Sequence, residues 1–411
     1  MKRIFLLALF MSPFVDVVIG LLTWLSGAEV EAIKSNYIIF IPAMVLRAFI
    51  LLYSFFYCIK KGFWYLLPLL VLVFSSLVVE LIAFVGLKIE FGQLLKGLAN
   101  LGQVVFYPLV YFTISSLLGV DDLKKWIVYS SIIILSAINV GNLGLGYVYW
   151  GGAGTMGVMP YGTQNSLSTI VVVLSAYLAF HAFYYRDIRY LWLWAFAIFA
   201  AWSMGSKFAL FGSLVISLYA FYLNINRTYL SIVLYFIGFP ILFFVLWSLV
   251  KDSGASSRLV YHYDDGGILK AVFGGREDRF VVWYETLKYF DFYNYFFGGG
   301  YQYPNSIAND NGLYFKRVDN LEMDVLDVLL KYGMVGAIVV YGWWFYFLIK
   351  TYSESLERHV KLFIFLVVFL CMIQSTFSGH FIFSGMSPIY VIAVLVCLKK
   401  MDFSRKLQRV G

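Results

Sequence analysis

Apolar runs separated by short polar links fill the chain up to residue 250; a single polar segment then occupies 251–323, and apolar runs resume to the end. A helix crossing a bilayer core needs about 20 consecutive apolar residues. On that length the pattern predicts spans at 4–25, 37–58, 63–86, 97–118, 126–147, 166–185, 190–205, 208–224, 229–250, 325–349, 361–378 and 384–398. Membrane strands would alternate apolar and polar residues at short range, and these runs do not. The expected fold class is an all-α polytopic membrane protein of about 12 transmembrane helices with one large extramembrane loop containing short helices. The expected organisation is a membrane bundle at 1–250 (spans 1–9), the loop at 251–323, and a second bundle with a tail at 324–411 (spans 10–12).

Composition agrees with this pattern. The chain is 62% hydrophobic and 13% charged, where soluble domains carry about 25% charged residues. Lys and Arg concentrate in cytoplasmic links of membrane proteins. With the first residues in the cytoplasm, the inside segments hold 17 basic side chains and the short outside links hold 4, namely Lys34, Lys88, Lys96 and Lys207. The large loop then lies outside and both chain ends inside. The net charge of +8 comes from those inside segments, because residues 251–331 hold 9 basic and 12 acidic side chains, a net of −3. No nucleic-acid partner is needed to explain the basic balance. MKRIFLLALFMSPF imitates a signal peptide, but it lacks a small-residue cleavage site and runs on through Asp16 to Leu25, so a retained first span is expected. Cys58, Cys371 and Cys397 all fall in apolar runs and are expected to pack in the core. Pro13, Pro42, Pro68, Pro108, Pro240 and Pro388 fall inside spans, where each removes a backbone hydrogen bond.

Charges near the middle of a span cost about 2.5–3.5 kcal/mol on insertion scales, so they face the interior and pair. Asp16, Arg47 and Glu80 lie near the middles of spans 1, 2 and 3. Arg47 either closes one ion pair with Asp16 or Glu80 or lines an anion site, and a carboxylate that positions the guanidinium serves both. Lys207, in WSMGSKFALFG at 202–212, is either a snorkelling lysine or a further cation at the outer end of span 8. In the loop, Arg276 and Arg279 share a face if 276–290 is helical, with Trp283 one turn on. Two guanidiniums and the free N–H groups of a helix start suit a phosphate or diphosphate. The plainer alternative is an interfacial helix whose arginines meet Glu277, Asp278 and Glu285. FGGGYQYPN at 297–305 is a flexible turn carrying Tyr301 and Tyr303, whose rings suit the C–H faces of sugars. At the loop's exit, Asp319 and Glu322 either form a capping box, or Glu322 sits at the membrane surface as a general base whose pKa is raised by partial withdrawal from water. His262 and His380 are isolated and expected at the surface. Asp264-Asp265 and Glu322-x-Asp324 are spaced for a divalent ion, but there is no Cys/His cluster, H-E-x-x-H or P-loop, so no metal and no cofactor are expected.

Together these residues resemble the O-antigen polymerase and ligase superfamily of bacterial envelopes. GSKFALFG (205–212) looks like the family's Ser-Arg-Gly-Ala-type segment with Lys207 in place of arginine, and Gly162-Thr163-Gln164-Asn165 is similar to its Gly-x-x-Asn pattern. GGRED (274–278) followed by Trp283 looks like the element that opens the family's periplasmic loop helix, and the glycines at 298–300 match the next element. Ligases place a His-Asn pair eleven residues before the first glycine of a Gly-x-x-Gly helix; counting back from Gly333 gives Glu322, and an acid followed by Asp324 looks more like polymerases. The resemblance implies a metal-independent glycosyltransferase of the Wzy type in the bacterial inner membrane, with its site facing the periplasm. It would serve lipopolysaccharide biosynthesis by moving an undecaprenyl-diphosphate-linked oligosaccharide en bloc onto a lipid-linked repeat unit. Implied partners are those lipid-linked substrates, the bilayer, a chain-length regulator and a flippase. The implied site has Glu322, Asp324 and Arg276 in catalysis, Arg276, Arg279, Lys207 and Arg47 on the diphosphate, and Trp283, Tyr301, Tyr303 and Asn320 on sugar. A ligase with a lipid A-core acceptor is the nearest alternative. A lipid-linked oligosaccharide flippase is the alternative of another class, although transporters commonly carry internal repeats and compact loops, and this chain has neither a repeat nor a compact loop.

Overall fold

The computed structural model describes residues 2–26, 40–61, 66–86, 91–148, 154–160, 164–224, 260–268, 278–301, 321 and 323–410. The bundle is built from α1 (Lys2–Leu25), α2 (Ile41–Lys61), α3 (Leu67–Gly86), α4 (Phe91–Leu117), α5 (Val120–Asn139), α6 (Gln164–Ala179), α7 (Ile188–Ser203) and α8 (Lys207–Asn224). Two short helices, α9 (Asp278–Leu287) and α10 (Phe292–Phe297), precede α11 (Asp324–Ser353), α12 (Arg358–Phe377) and α13 (Ser387–Val410). Eight of the described helices are long and apolar enough to cross a membrane, and α7 and α8 are shorter apolar helices. The expected span 229–250 lies outside the described residues. One departure from an all-helical chain is a small antiparallel hairpin, Tyr147–Val148 paired with Thr155–Gly157.

The core runs along α6 and the first half of α13. In α6 every residue from Ser166 to Ala179 is buried, as expected of a helix surrounded on all sides. Its polar groups are satisfied within the protein: Ser168 Oγ lies 2.8 Å from both the Gln164 carbonyl and Ser206 Oγ. In α13 the run Ile389–Leu398 is buried throughout. The periphery is the reverse. Phe56 in α2 and Phe74 and Val85 in α3 stand 65–76% exposed, a surface that suits lipid rather than water. The three cysteines are free and buried, as expected from their apolar runs.

Each end of the bundle is fixed by polar contacts. At one end, Lys2 pairs with Asp122 at the start of α5 (2.6 Å) and Lys400 Nζ donates to the Leu118 carbonyl at the end of α4 (2.6 Å). The opposite end carries Asp324, the hairpin, and the turn between α12 and α13. The prolines need a correction. Pro13 and Pro108 sit inside helices, but Pro42, Pro68 and Pro388 are the second residues of α2, α3 and α13. In a first turn the missing N–H would have had no helical partner, so these three start helices rather than kink them. Pro240 lies outside the described residues.

Candidate active site at the loop–bundle junction

The most unusual backbone in the bundle is at Gly333, where α11 is kinked with φ 61° and ψ −160°. A regular helix would use the Leu330 and Lys331 carbonyls to bond N–H groups one turn on. Here those carbonyls accept instead from Gly299 N (2.8 Å) and Gly300 N (3.2 Å) of the turn after α10. Irregular backbone at membrane depth survives only where its polar groups are satisfied by protein or face a cavity. The contact permits no side chains: a Cβ on Gly298, which has φ +80°, would lie 2.2 Å from the Lys331 carbonyl carbon, and one on Gly333 would lie 2.5 Å from that of Phe296. The glycine turn thus plugs a break in a bundle helix and carries Tyr301 down into the bundle.

Tyr301 meets a group of buried charges. Its N–H donates to Glu80 Oε1 (2.7 Å), and Gly97 and Gly300 leave room for that carboxylate. The ammonium of Lys331, 1% exposed, lies 3.6 Å from Asp327 Oδ1. It also lies 4.9 Å from the Tyr301 ring and 4.8 Å from the Phe383 ring, within cation–π range. Asp327 Oδ1 in turn accepts from Leu321 N (3.0 Å) at the loop's exit. Phe383 belongs to the turn 378–386, and two residues on, Gly385 packs against the Arg47 side chain, which is paired with Asp16. The choice left open for Arg47 therefore falls on Asp16, while Glu80 serves Tyr301.

Asp324 holds that turn. Its carboxylate accepts from His380 N (2.7 Å), Phe381 N (2.8 Å), Ile382 N (2.7 Å) and Ser375 Oγ (3.0 Å) and is 1% exposed. Three successive N–H groups aimed at one anion make a backbone nest, which the left-handed backbone of Gly379 and His380 makes possible. The turn is also held from α6, where Asn165 Nδ2 donates to the Ser378 carbonyl (3.0 Å) and Ser166 Oγ to that of His380 (3.3 Å). His380 is half-buried, and its backbone N–H and carbonyl help hold the turn. Lys207 opens α8 next to Ser206, which is bonded to Ser168 of α6.

Arg279 donates to the Leu321 carbonyl, tying α9 to the loop's exit. Trp283, beside it, packs on a small apolar cluster of Val282, Phe290, Leu321, Met323, Leu326 and Leu330. A capping box at Asp319 and Glu322 is one of two expectations for the loop's exit, and both residues lie outside the described ones. Among the described residues α11 begins at Asp324, with Met323 as N-cap and no side-chain cap bond, and Leu321 N is held by Asp327. Of the expected 276–290 helix, Asp278–Leu287 is helical and 288–290 are not, while 276 and 277 lie outside the described residues. Glu285, a suggested partner for the arginines, pairs with Lys288.

Of the residues read as functional, Asp324, Arg47 and Tyr301 gather around the 378–386 turn, and Arg279 and Trp283 flank the exit at 321–323. Arg276, Tyr303, Asn320 and Glu322 lie outside the described residues. Tyr301, read as a sugar contact, is 6% exposed with its ring against Lys331, so in this state it supports a cation. Lys331 and Asp327 were missed. Their signal was two opposite charges four residues apart inside the predicted span 325–349, the same expense that singled out Arg47. Beside this junction, α3 and α10 form an apolar groove of about 580 Å³ lined by Leu70, Phe74, Val78, Ile82, Tyr293 and Phe297. No three His, Cys, Asp or Glu side chains group to hold a metal among the described residues. No family model matches the chain, and no curated protein matches it.

Proposed function

We propose that this protein is an O-antigen or related surface-polysaccharide polymerase of twelve spans, with both termini in the cytoplasm of a bacterial cell and its site at the periplasmic face of the inner membrane. The observation that carries the reading is the seating of the 298–301 turn in the break of α11, which sets loop and bundle residues around one group of buried charges. A cleft with one wall of loop and one of bundle suits a substrate whose lipid lies in the bilayer and whose sugars lie outside it. The groove on α3 and α10 suits an isoprenoid chain, being apolar along its length.

In the proposed reaction an acceptor hydroxyl of one lipid-linked repeat unit attacks the anomeric carbon of the donor chain. A glycosidic C–O bond forms as the C–O bond to the diphosphate breaks, and undecaprenyl diphosphate leaves with the electron pair. Glu322 takes the hydroxyl proton. Arg276, Arg279, Lys207 and Arg47 offset the charge growing on the diphosphate. Asp324 acts as a positioning residue: it fixes the turn that packs against Arg47 and Lys331. Trp283, Tyr303 and Asn320 contact sugar.

The test is the polysaccharide ladder of cells that depend on this gene for polymer. Arg276→Ala and Glu322→Gln should each reduce the ladder to core bearing a single repeat unit. A full ladder from either variant would remove the assigned chemistry, and loss of every core-attached unit would mark a ligase instead.

A further inference from the structure

At the end of the bundle away from this junction, α4, the start of α5, α11, the 354–356 link and α13 line a cavity of about 600 Å³ that the proposed chemistry does not use. Lys350, Lys399 and Lys400 line it, with the lone carboxylate of Glu354 among the described lining residues. Lys399 is 8% exposed and is paired with Glu354 at 2.8 Å. Lys400 donates to the Leu118 carbonyl (2.6 Å) at the α4–α5 corner. Lys350 has its ammonium 5.8 Å from the Tyr111 ring and 5.9 Å from that of Tyr346. Three ammonium groups facing one carboxylate leave an excess of positive charge in a pocket whose wall also carries the Tyr111 hydroxyl, while the Ser115 and Ser404 hydroxyls donate to the Phe112 and Lys400 carbonyls. The start of α5 reaches the same pocket at Gly119 and Val120, where Asp122 accepts from Gly119 N (3.1 Å) and, with Asp121, already offsets the helix dipole, so the lysines carry the charge of the site.

We propose that this cavity binds the phosphate of an anionic phospholipid headgroup. The ligand chemistry is a phosphate held by several lysines and the Tyr111 hydroxyl. The location selects the lipid source: Lys2, at the same bundle end, marks the side the charge pattern assigns to the cytoplasm, and the pocket's wall includes the exposed apolar ring of Phe403, which suits the apolar part of a lipid better than water. Basic pockets between helices on the cytoplasmic side suit acidic headgroups, each nearby Lys contributing about 1 kcal/mol, close to a fivefold change in affinity. The inference rests on the chain's placement in a membrane and not on the polymerase reading.

The full-length protein, purified in a neutral detergent, would be titrated with short-chain phosphatidylglycerol, with short-chain phosphatidylcholine and with inorganic phosphate, with binding read by native mass spectrometry and by thermal shift. Saturable retention of phosphatidylglycerol over phosphatidylcholine is expected. Lys350→Gln, which disturbs no ion pair among the described residues, should weaken it about fivefold. Glu354→Gln should tighten it by removing the opposing charge. Equal retention of both lipids, or no effect of either substitution, overturns the proposal. Binding of inorganic phosphate without phosphatidylglycerol gives the site to a soluble anion and overturns the lipid assignment.

Discussion

Lys331 is the residue on which the junction turns. It is buried with Asp327 beside it, Glu80 nearby and two rings around its ammonium. A buried pair is weak evidence for net stability, but removing one partner leaves an uncompensated charge and costs about 3–5 kcal/mol. Lys331→Met should therefore lower the denaturation midpoint of the purified protein sharply, whereas Lys288→Met, at an exposed pair with Glu285, should leave it unchanged. Equal effects at the two sites would contradict the burial argument. Arg47 was legible from sequence because a lone central charge in a span demands a partner, and the partner was one of the two named. Lys331 carried the same signal but stood in the shadow of the acids at 319–324. Nothing in spacing indicates that Asp324 spends its carboxylate on three N–H groups more than fifty residues away.

At the scale of elements, most helices were legible because lipid demands long apolar runs, and α1 to α8 and α11 to α13 fall close to the predicted spans. The break in α11 was not. Apart from the resemblance nothing in the sequence marks Gly333, whereas its φ of 61° and the close approach of Phe296 and Gly298 explain why it must be glycine. Gly333→Ala should favour a continuous helix and expel the turn, because an added methyl would overlap Phe296. The expected result is faster proteolysis within 288–323 and loss of polymer, with the bundle still folded. Gly342→Ala, one of the sites in the same helix with open space around it, should change neither; a similar response from both would mean that the docking does not organise the junction.

For the molecule as a whole, the apolar exterior of α2 and α3, the buried α6 and first half of α13, and the junction at one end describe a membrane bundle, which on the proposed reading admits a lipid-borne substrate from the side. The central claim is that this junction joins lipid-linked sugars. Purified protein in vesicles, given undecaprenyl-diphosphate-linked repeat units on the face carrying Asp324, tests it most directly. The account predicts a ladder of longer lipid-linked chains with release of undecaprenyl diphosphate, both abolished by Glu322→Gln. Folded protein that yields no ladder, or a ladder that survives Glu322→Gln, would contradict it.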